Sequence, residues 1–243
     1  MGFTSILWQE FILFKRKFWS ITTGSMVAPV LYLIAFGWGL GGGMSTGGAD
    51  YISFVIPGII ALTTMSASFA STGNPINISR IYDKTFEQFM VAPVNMFIYA
   101  AGKITAGALR GMYSGLLIIF LALVFRSGVR FDAYFLLVMA INCLVFAAVG
   151  FTAGIVIDSH GDMAKFSNFI ITPMAFLCGT FFPLEKMPFL IRGLIWLLPL
   201  TQTSLGLRSS GQDLLIMAVH PLVLSAYFVV IFLIGVRYCK KAE

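Results

Sequence analysis

Long apolar runs dominate this chain and polar residues fall between them in short clusters, so run length is the first thing the pattern offers. A membrane span needs about 20 mostly apolar residues to cross a hydrocarbon core of about 30 Å, and it must satisfy its own backbone hydrogen bonds, which favours helices. Six runs meet that requirement: Ile21 to Leu40, Phe54 to Ile76, Met96 to Phe125, Ala133 to Ile157, Phe166 to Phe182 and Leu214 to Val236. The predicted fold class is an all-α polytopic membrane protein, with residues 1–243 forming a single transmembrane domain. Composition agrees, because 58% of the residues are hydrophobic and 11% charged, whereas charged residues make up about a quarter of soluble domains.

The segments between the runs carry their own patterns. Phe3, Leu7, Phe11, Phe14 and Phe18 recur three and four residues apart, with Gln9, Glu10, Lys15, Arg16 and Lys17 between them. This spacing predicts an interfacial helix over 1–18 or, alternatively, an inward extension of the first span. No small-residue cleavage pattern separates that span from a soluble domain, so it is expected to stay in the membrane. The run GWGLGGGMSTGGAD then ends it in an outer loop, since clustered glycines hold a helix poorly against water. The second span opens with YISFVIPGII, where Pro57 is tolerated in a first turn, and is expected to close at the breaker cluster GNPINISR.

Between the second and third spans lies RIYDKTFEQFMVAP, residues 80–93. Ile81, Phe86, Phe89 and Met90 can share one side of a short helix, leaving Asp83, Lys84, Glu87 and Gln88 on the other, and Pro93 stops it. A solvated loop is the plain alternative. The apolar side is large enough to call for a cover, which makes the segment a candidate docking surface for a soluble partner.

In the third run, Gly107, Gly111 and Gly115 stand one turn apart on one helix face. Small residues at this spacing let helices approach closely in lipid, so the stripe marks a packing face within the chain or between two copies. Gly150 and Gly154 form a shorter pair of the same kind. Arg110 lies about one turn inside the boundary counted back from Phe125 and is expected to snorkel inward, with Lys103 at the interface. In FFPLEKMPFLIRGLIWLLPL, Pro188 and Pro199 bracket a helix only about 16 Å long. A second short helix follows in TQTSLGLRS, so residues 183–210 are expected to form short outer elements, re-entrant or interfacial, anchored by Trp196.

Charge refines the picture. Nine of the sixteen Lys and Arg fall on the side shared by both termini and five on the other, which favours both termini in the cytoplasm. The net charge of +6 needs no nucleic acid, since basic residues facing anionic lipid account for it. Cys143, Cys178 and Cys239 are too scattered to suggest a disulfide framework or a metal site. His160 and His220 lack a nucleophile or carboxylate at a convincing spacing, so no catalytic residue is assigned. No G-x(4)-G-K-[ST] phosphate loop occurs. All ten acidic residues fall at span ends or in loops, which argues against proton coupling, although an ion-coupled secondary transporter with a carbonyl-lined midplane site stays open.

Four motifs occur in order: YISFVIPGI, then R-x(4)-T-F-E closing on V-A-P-V, then C-G-T-F-F-P-L-E-K-M-P, and W-L-L-P-L-T. Together they resemble the membrane permease of type 2 ABC exporters over nearly the whole chain. The resemblance is nearest the branch that exports nodulation lipo-oligosaccharides and daunorubicin-type drugs, and is similar to polysaccharide-exporting permeases. It implies a half-transporter that pairs with a second copy in the cytoplasmic membrane of a prokaryote. Each copy would dock an ABC ATPase subunit, two in the assembly, and ATP and Mg would be bound by that partner rather than by this chain. The resemblance also implies an ATPase-docking coupling helix with candidates Arg80, Tyr82, Thr85, Phe86, Glu87, Phe89 and Pro93. It places an outer gate at Phe181, Phe182, Pro183 and Pro188.

Overall fold

A computed structural model describes residues 2–35, 48–86, 95–124, 129–184, 188–211 and 213–241, and every regular element among them is helical. In chain order these are α1 (Phe3–Arg16), α2 (Phe18–Ile34), α3 (Gly48–Ile81), α4 (Met96–Val124), α5 (Ala133–Val156), α6 (His160–Phe166), a π-helical turn (Ser167–Ile171), α7 (Thr172–Leu177), α8 (Phe189–Trp196), α9 (Pro199–Arg208) and α10 (Leu214–Lys241). Four helices among the described residues are long and apolar enough to cross a membrane, within α3, α4, α5 and α10. They correspond to the predicted second, third, fourth and sixth spans. Residues 36–47, which hold all but the last three residues of the glycine-rich run, and Glu87, Phe89 and Pro93 of the predicted coupling helix, lie outside the described residues.

Two expectations need correction. The breaker cluster GNPINISR does not end the second span, because α3 runs unbroken through Pro75 to Ile81. Proline removes one amide and frees the carbonyl four residues back, here that of Ser71, and this oxygen accepts from Arg110 Nη1 at 3.4 Å. The helix ends beyond Ile81, where the amides of Tyr82 and Asp83 both return to the Ile78 carbonyl and Lys84 takes a left-handed φ of 50°. The predicted fifth span, Phe166 to Phe182, is also displaced. Helix begins at His160, because the Ser159 side chain accepts from the Gly161 amide as an N-cap. It widens into the π turn just ahead of Pro173, whose missing amide breaks the ordinary register. It stops at Leu177, two residues before the left-handed Gly179 (φ 72°).

α3 and α5 form the centre of the bundle, with α4 and α10 against them. Lipid supplies no hydrophobic force between helices, so association depends on close contact, and glycines provide it. A Cβ on Gly107, Gly111 or Gly115 would lie 1.8 Å from Thr72 Oγ1, 1.8 Å from Ser68 Oγ or 2.5 Å from Thr64 Cγ2 respectively. The predicted stripe is therefore filled by α3 of the same chain, which leaves none of it for a second copy. On the other side of α3, a Cβ on Gly150 would meet the Phe69 carbonyl oxygen at 2.5 Å, and one on Gly154 the Gly73 carbonyl oxygen at 2.7 Å. Asn142, fully buried on α5, adds polar joinery by donating to Thr64 Oγ1 at 2.9 Å and accepting from Thr203 Oγ1 at 2.7 Å.

Gly150→Ala is expected to lower the unfolding midpoint of the detergent-solubilised chain, at a cost of about 2 kcal/mol for overpacking against backbone that cannot yield. Gly193→Ala, where a Cβ meets nothing within 4 Å and alanine favours the helix, should leave that midpoint the same or higher.

Candidate functional site

Three places bring chemistry-bearing residues together, and the first is where α3 and α5 finish. Arg80 Nη2 donates to the Ile157 carbonyl at 2.9 Å and pairs with Asp158, while Asn77 Nδ2 donates to the same carbonyl at 2.9 Å. Both side chains thereby hold the C-terminal end of α5 to the last turn of α3. Arg80, one of the docking candidates, directs Nη2 to partners within the chain, of which Asp158 is exposed. Phe86 is likewise turned inward, 4% exposed, with its ring edge-on to Tyr99 at 5.9 Å. Thr85 is half-buried, and Tyr82 stands out at 65% exposure. Of the described docking candidates, Tyr82 alone offers a large open side chain.

The second place joins α1 to α4. Ile6 packs against Gly102, Phe14 meets Tyr113 edge-on at 5.2 Å, and Thr22 at the start of α2 bonds the Tyr113 hydroxyl at 2.9 Å. Between these contacts, Glu10 bridges two cations: Lys103 Nζ lies 2.5 Å from Oε1 and Arg110 Nη2 lies 2.7 Å from Oε2. Arg110 Nη2 also donates to the Glu10 carbonyl at 3.1 Å. The Glu10 side chain is 9% exposed and each cation 14%. Arg110 therefore does not snorkel to water; it is neutralised from the side by the N-terminal helix. Glu10 is the residue that sequence reasoning missed. The signal was present, since Lys103 and Arg110 stand on one face of a helix two turns apart and needed an acid nearby.

The third place lies at the opposite end of α3, where motifs far apart in sequence meet. A Cβ on Gly58 of the IPG motif would lie 2.2 Å from the Thr180 carbonyl oxygen of the CGTFFP motif. Tyr51 donates to the Phe181 carbonyl at 3.3 Å, and Ser204 to the Cys178 carbonyl at 2.7 Å. Arg208 ties the knot: its guanidinium donates to the carbonyls of Phe54 and Thr180 at 3.1 and 3.3 Å and sits 3.9 Å over the Phe54 ring. The gate candidates divide here. Phe181 is buried between Tyr32 and Phe176, with ring centroids 5.4 and 5.7 Å away, whereas Phe182 is 53% exposed. Pro183 is half-buried and Pro188 exposed at the start of α8.

Below Phe181 a groove of about 380 Å³ runs between α2, α3 and the helical run that includes the π turn. Its wall mixes hydroxyls from Ser25, Thr63 and Thr172 with the rings of Tyr32, Phe69 and Phe176. Thr63 Oγ1 is buried there without a hydrogen-bond partner.

A bundle of long apolar helices, with polar residues gathered at its joints and along one groove, defines a membrane-embedded, multi-span protein. The chain belongs to the ABC-2 type transporter family, whose profile matches residues 1–211. Among its relatives is the inner membrane transport permease YadH of Escherichia coli K12, 26% identical over 199 residues, which cover 79% of this chain and 77% of that protein. Nodulation protein J of Rhizobium leguminosarum bv. viciae is 26% identical over 239 residues, 96% of this chain and 92% of that protein. The protein of that name from Rhizobium meliloti is 25% identical over 240 residues, covering 96% and 90%.

Glu10→Gln would leave Lys103 and Arg110 facing an uncharged amide, a loss of about 3 kcal/mol for a pair this sheltered. α1 is then expected to detach. Maleimide labelling of a cysteine placed at the buried Ile6 should speed up in the Gln variant and stay slow with Glu10 intact.

Proposed function

We propose that the chain is the transmembrane half of an ATP-driven exporter in the cytoplasmic membrane of a prokaryote, two copies working with two ABC ATPase subunits. In this reading six spans cross the membrane with both termini in the cytoplasm, α2 and the α6 to α7 run serving as the first and fifth. Membership of the ABC-2 family over residues 1–211 carries the proposal. ATP and Mg belong to the partner.

The linkage at the end of α3 supports a mechanism. The segment from Tyr82 to Asn95 follows directly on the turn in which Arg80 and Asn77 grip the end of α5, and Phe86 is seated in the core beside Tyr99. Displacement of that segment by a docked ATPase would move α3 and α5 together. Exposed Tyr82, with Thr85, Glu87, Phe89 and Pro93, forms the proposed docking face; Arg80 and Phe86 position it from inside. Two arrangements of the bundle with different affinity for the ATPase are required, since an effector shifts only an equilibrium it binds unequally. Cargo would travel along the groove between α2, α3 and α7, whose hydroxyl and aromatic lining suits an amphipathic molecule such as a drug, a lipid or a lipid-linked saccharide. Phe182 and the short helices of residues 183–210 would shape the exit.

An ion-coupled carrier is the weaker reading. Its proton-coupled form would call for an intramembrane carboxylate, whereas Glu10 serves as the joint between α1 and α4, 2.5 and 2.7 Å from its two cations; a carbonyl-lined site is the form left to it.

The purified chain is expected to hydrolyse no ATP alone and to stimulate its partner's hydrolysis when reconstituted; turnover by the chain itself would end the proposal. Phe89→Ala should reduce ATPase co-purification severalfold without affecting membrane insertion. Ala67→Trp, which fills the groove, should abolish export while leaving the ATPase bound.

A further inference from the structure

The groove beneath Phe181 offers hydrogen bonds without charge. Among the described residues, its wall is apolar, aromatic or hydroxylic, and no side chain in it carries a carboxylate, an amine or a guanidinium. Thr63, 8% exposed, keeps a buried hydroxyl without a partner, and Ser66 and Ser167 stand half-buried on the same wall. Pro29 adds an acceptor on α2, because its missing amide leaves the Ser25 carbonyl without the usual helical donor. The ring faces are partly taken already: Phe69 stacks on Phe166 with centroids 5.9 Å apart, and Phe176 lies tilted 5.7 Å from Phe181. At the outer end, Arg208 donates to the carbonyl of Thr180, the neighbour of Phe181, and no carboxylate among the described residues pairs with it. A cation entering this groove would leave water without gaining a counter-charge and would approach a like charge, and contact with a ring recovers only part of that loss. A hydroxyl or amide exchanges its water for the wall's own hydroxyls and the Ser25 carbonyl at little cost.

We propose that this groove takes an uncharged amphiphile, whose polar part bonds through hydroxyl or amide groups, and rejects organic cations. Its hydroxyls and the Ser25 carbonyl account for the polar part, and Phe69, Ala67 and Phe176 for the apolar part. This selectivity rests on the groove being the cargo path and adds the charge and the polar chemistry of what that path accepts. The groove can carry cargo without showing this preference, so the two can fail separately.

A matched pair of photoprobes separates charge from shape. The full chain, in lipid nanodiscs free of sugar-headed detergent, is labelled with decyl probes that share one diazirine and differ in the head. One head is glucose; the other is trimethylammonium, whose charge no proton transfer removes. Mass mapping is expected to find the glucoside on the groove residues of α2 and α3, and Ala67→Trp should remove that label. The ammonium probe is expected there at about one-tenth of the glucoside's yield, while both label exposed Leu222 and Val229 of α10 alike. Ser66→Asp, which supplies a counter-charge on the wall, should raise the ammonium label about tenfold. Equal labelling of the groove by the two probes overturns the selectivity and leaves the groove as a cargo path. Absence of both from the groove overturns the path as well.

Discussion

Helices in a bilayer gain little by leaving lipid for one another, because the surrounding chains are as apolar as leucine. What holds α3, α4 and α5 together is therefore proximity, and proximity requires that one side of each seam lack a side chain. Gly107, Gly111 and Gly115 admit Thr72, Ser68 and Thr64 from one side of α3, and Gly150 and Gly154 admit its backbone from the other. Everything else is mounted on that three-helix centre. The close approach also sets the chemistry of the seam: α3 presents hydroxyls to α4, and Thr64 closes on the Ile60 and Ala61 carbonyls of its own helix while receiving Asn142 from α5. Thr64, Thr72 and Asn142 are thereby satisfied in a place where each orphan would be costly.

Charge is handled by the same economy of partners. Arg110 serves two purposes at once, accepting neutralisation from Glu10 on the N-terminal helix and donating to the Ser71 carbonyl that Pro75 leaves free. Arg208 does the corresponding work at the other end with carbonyl oxygens and the Phe54 ring. In both cases a largely sheltered cation staples elements remote in sequence. Such a staple holds only while all its acceptors are in place, which ties the position of α1 to the continuity of α3.

The four longest helices were legible from run length alone, because nothing shorter than a bilayer-spanning apolar run produces that pattern. The glycine stripe was legible as a packing face, but sequence could not say which surface it met; Thr64, Ser68 and Thr72 share the matching spacing on α3, and only the fold brings the two together. The helix continues through the breaker cluster GNPINISR because a donor from another helix occupies the Ser71 carbonyl that Pro75 leaves free, which local sequence does not show. Arg80 and Phe86 illustrate a subtler difficulty. Both lie in the segment marked for docking, yet their side chains face the chain's own interior, and the direction a side chain takes after a turn such as that at Lys84 is not written in local periodicity. Periodicity groups Glu10 with the polar residues of an amphipathic helix; the two cations on α4 draw its carboxylate inward instead, and Trp8 and Phe11 are left exposed.

The unbroken length of α3 has a mechanical consequence. A bilayer core takes up about 20 residues of helix, and the run from Gly48 to Ile81 continues well beyond that. Roughly 20 Å of stiff rod, at about 1.5 Å per residue, therefore overhangs the apolar slab. In the proposed mechanism, a sideways thrust on the overhang would be carried by this rod past the glycine seams to its far tip, where Tyr51 and Phe54 sit.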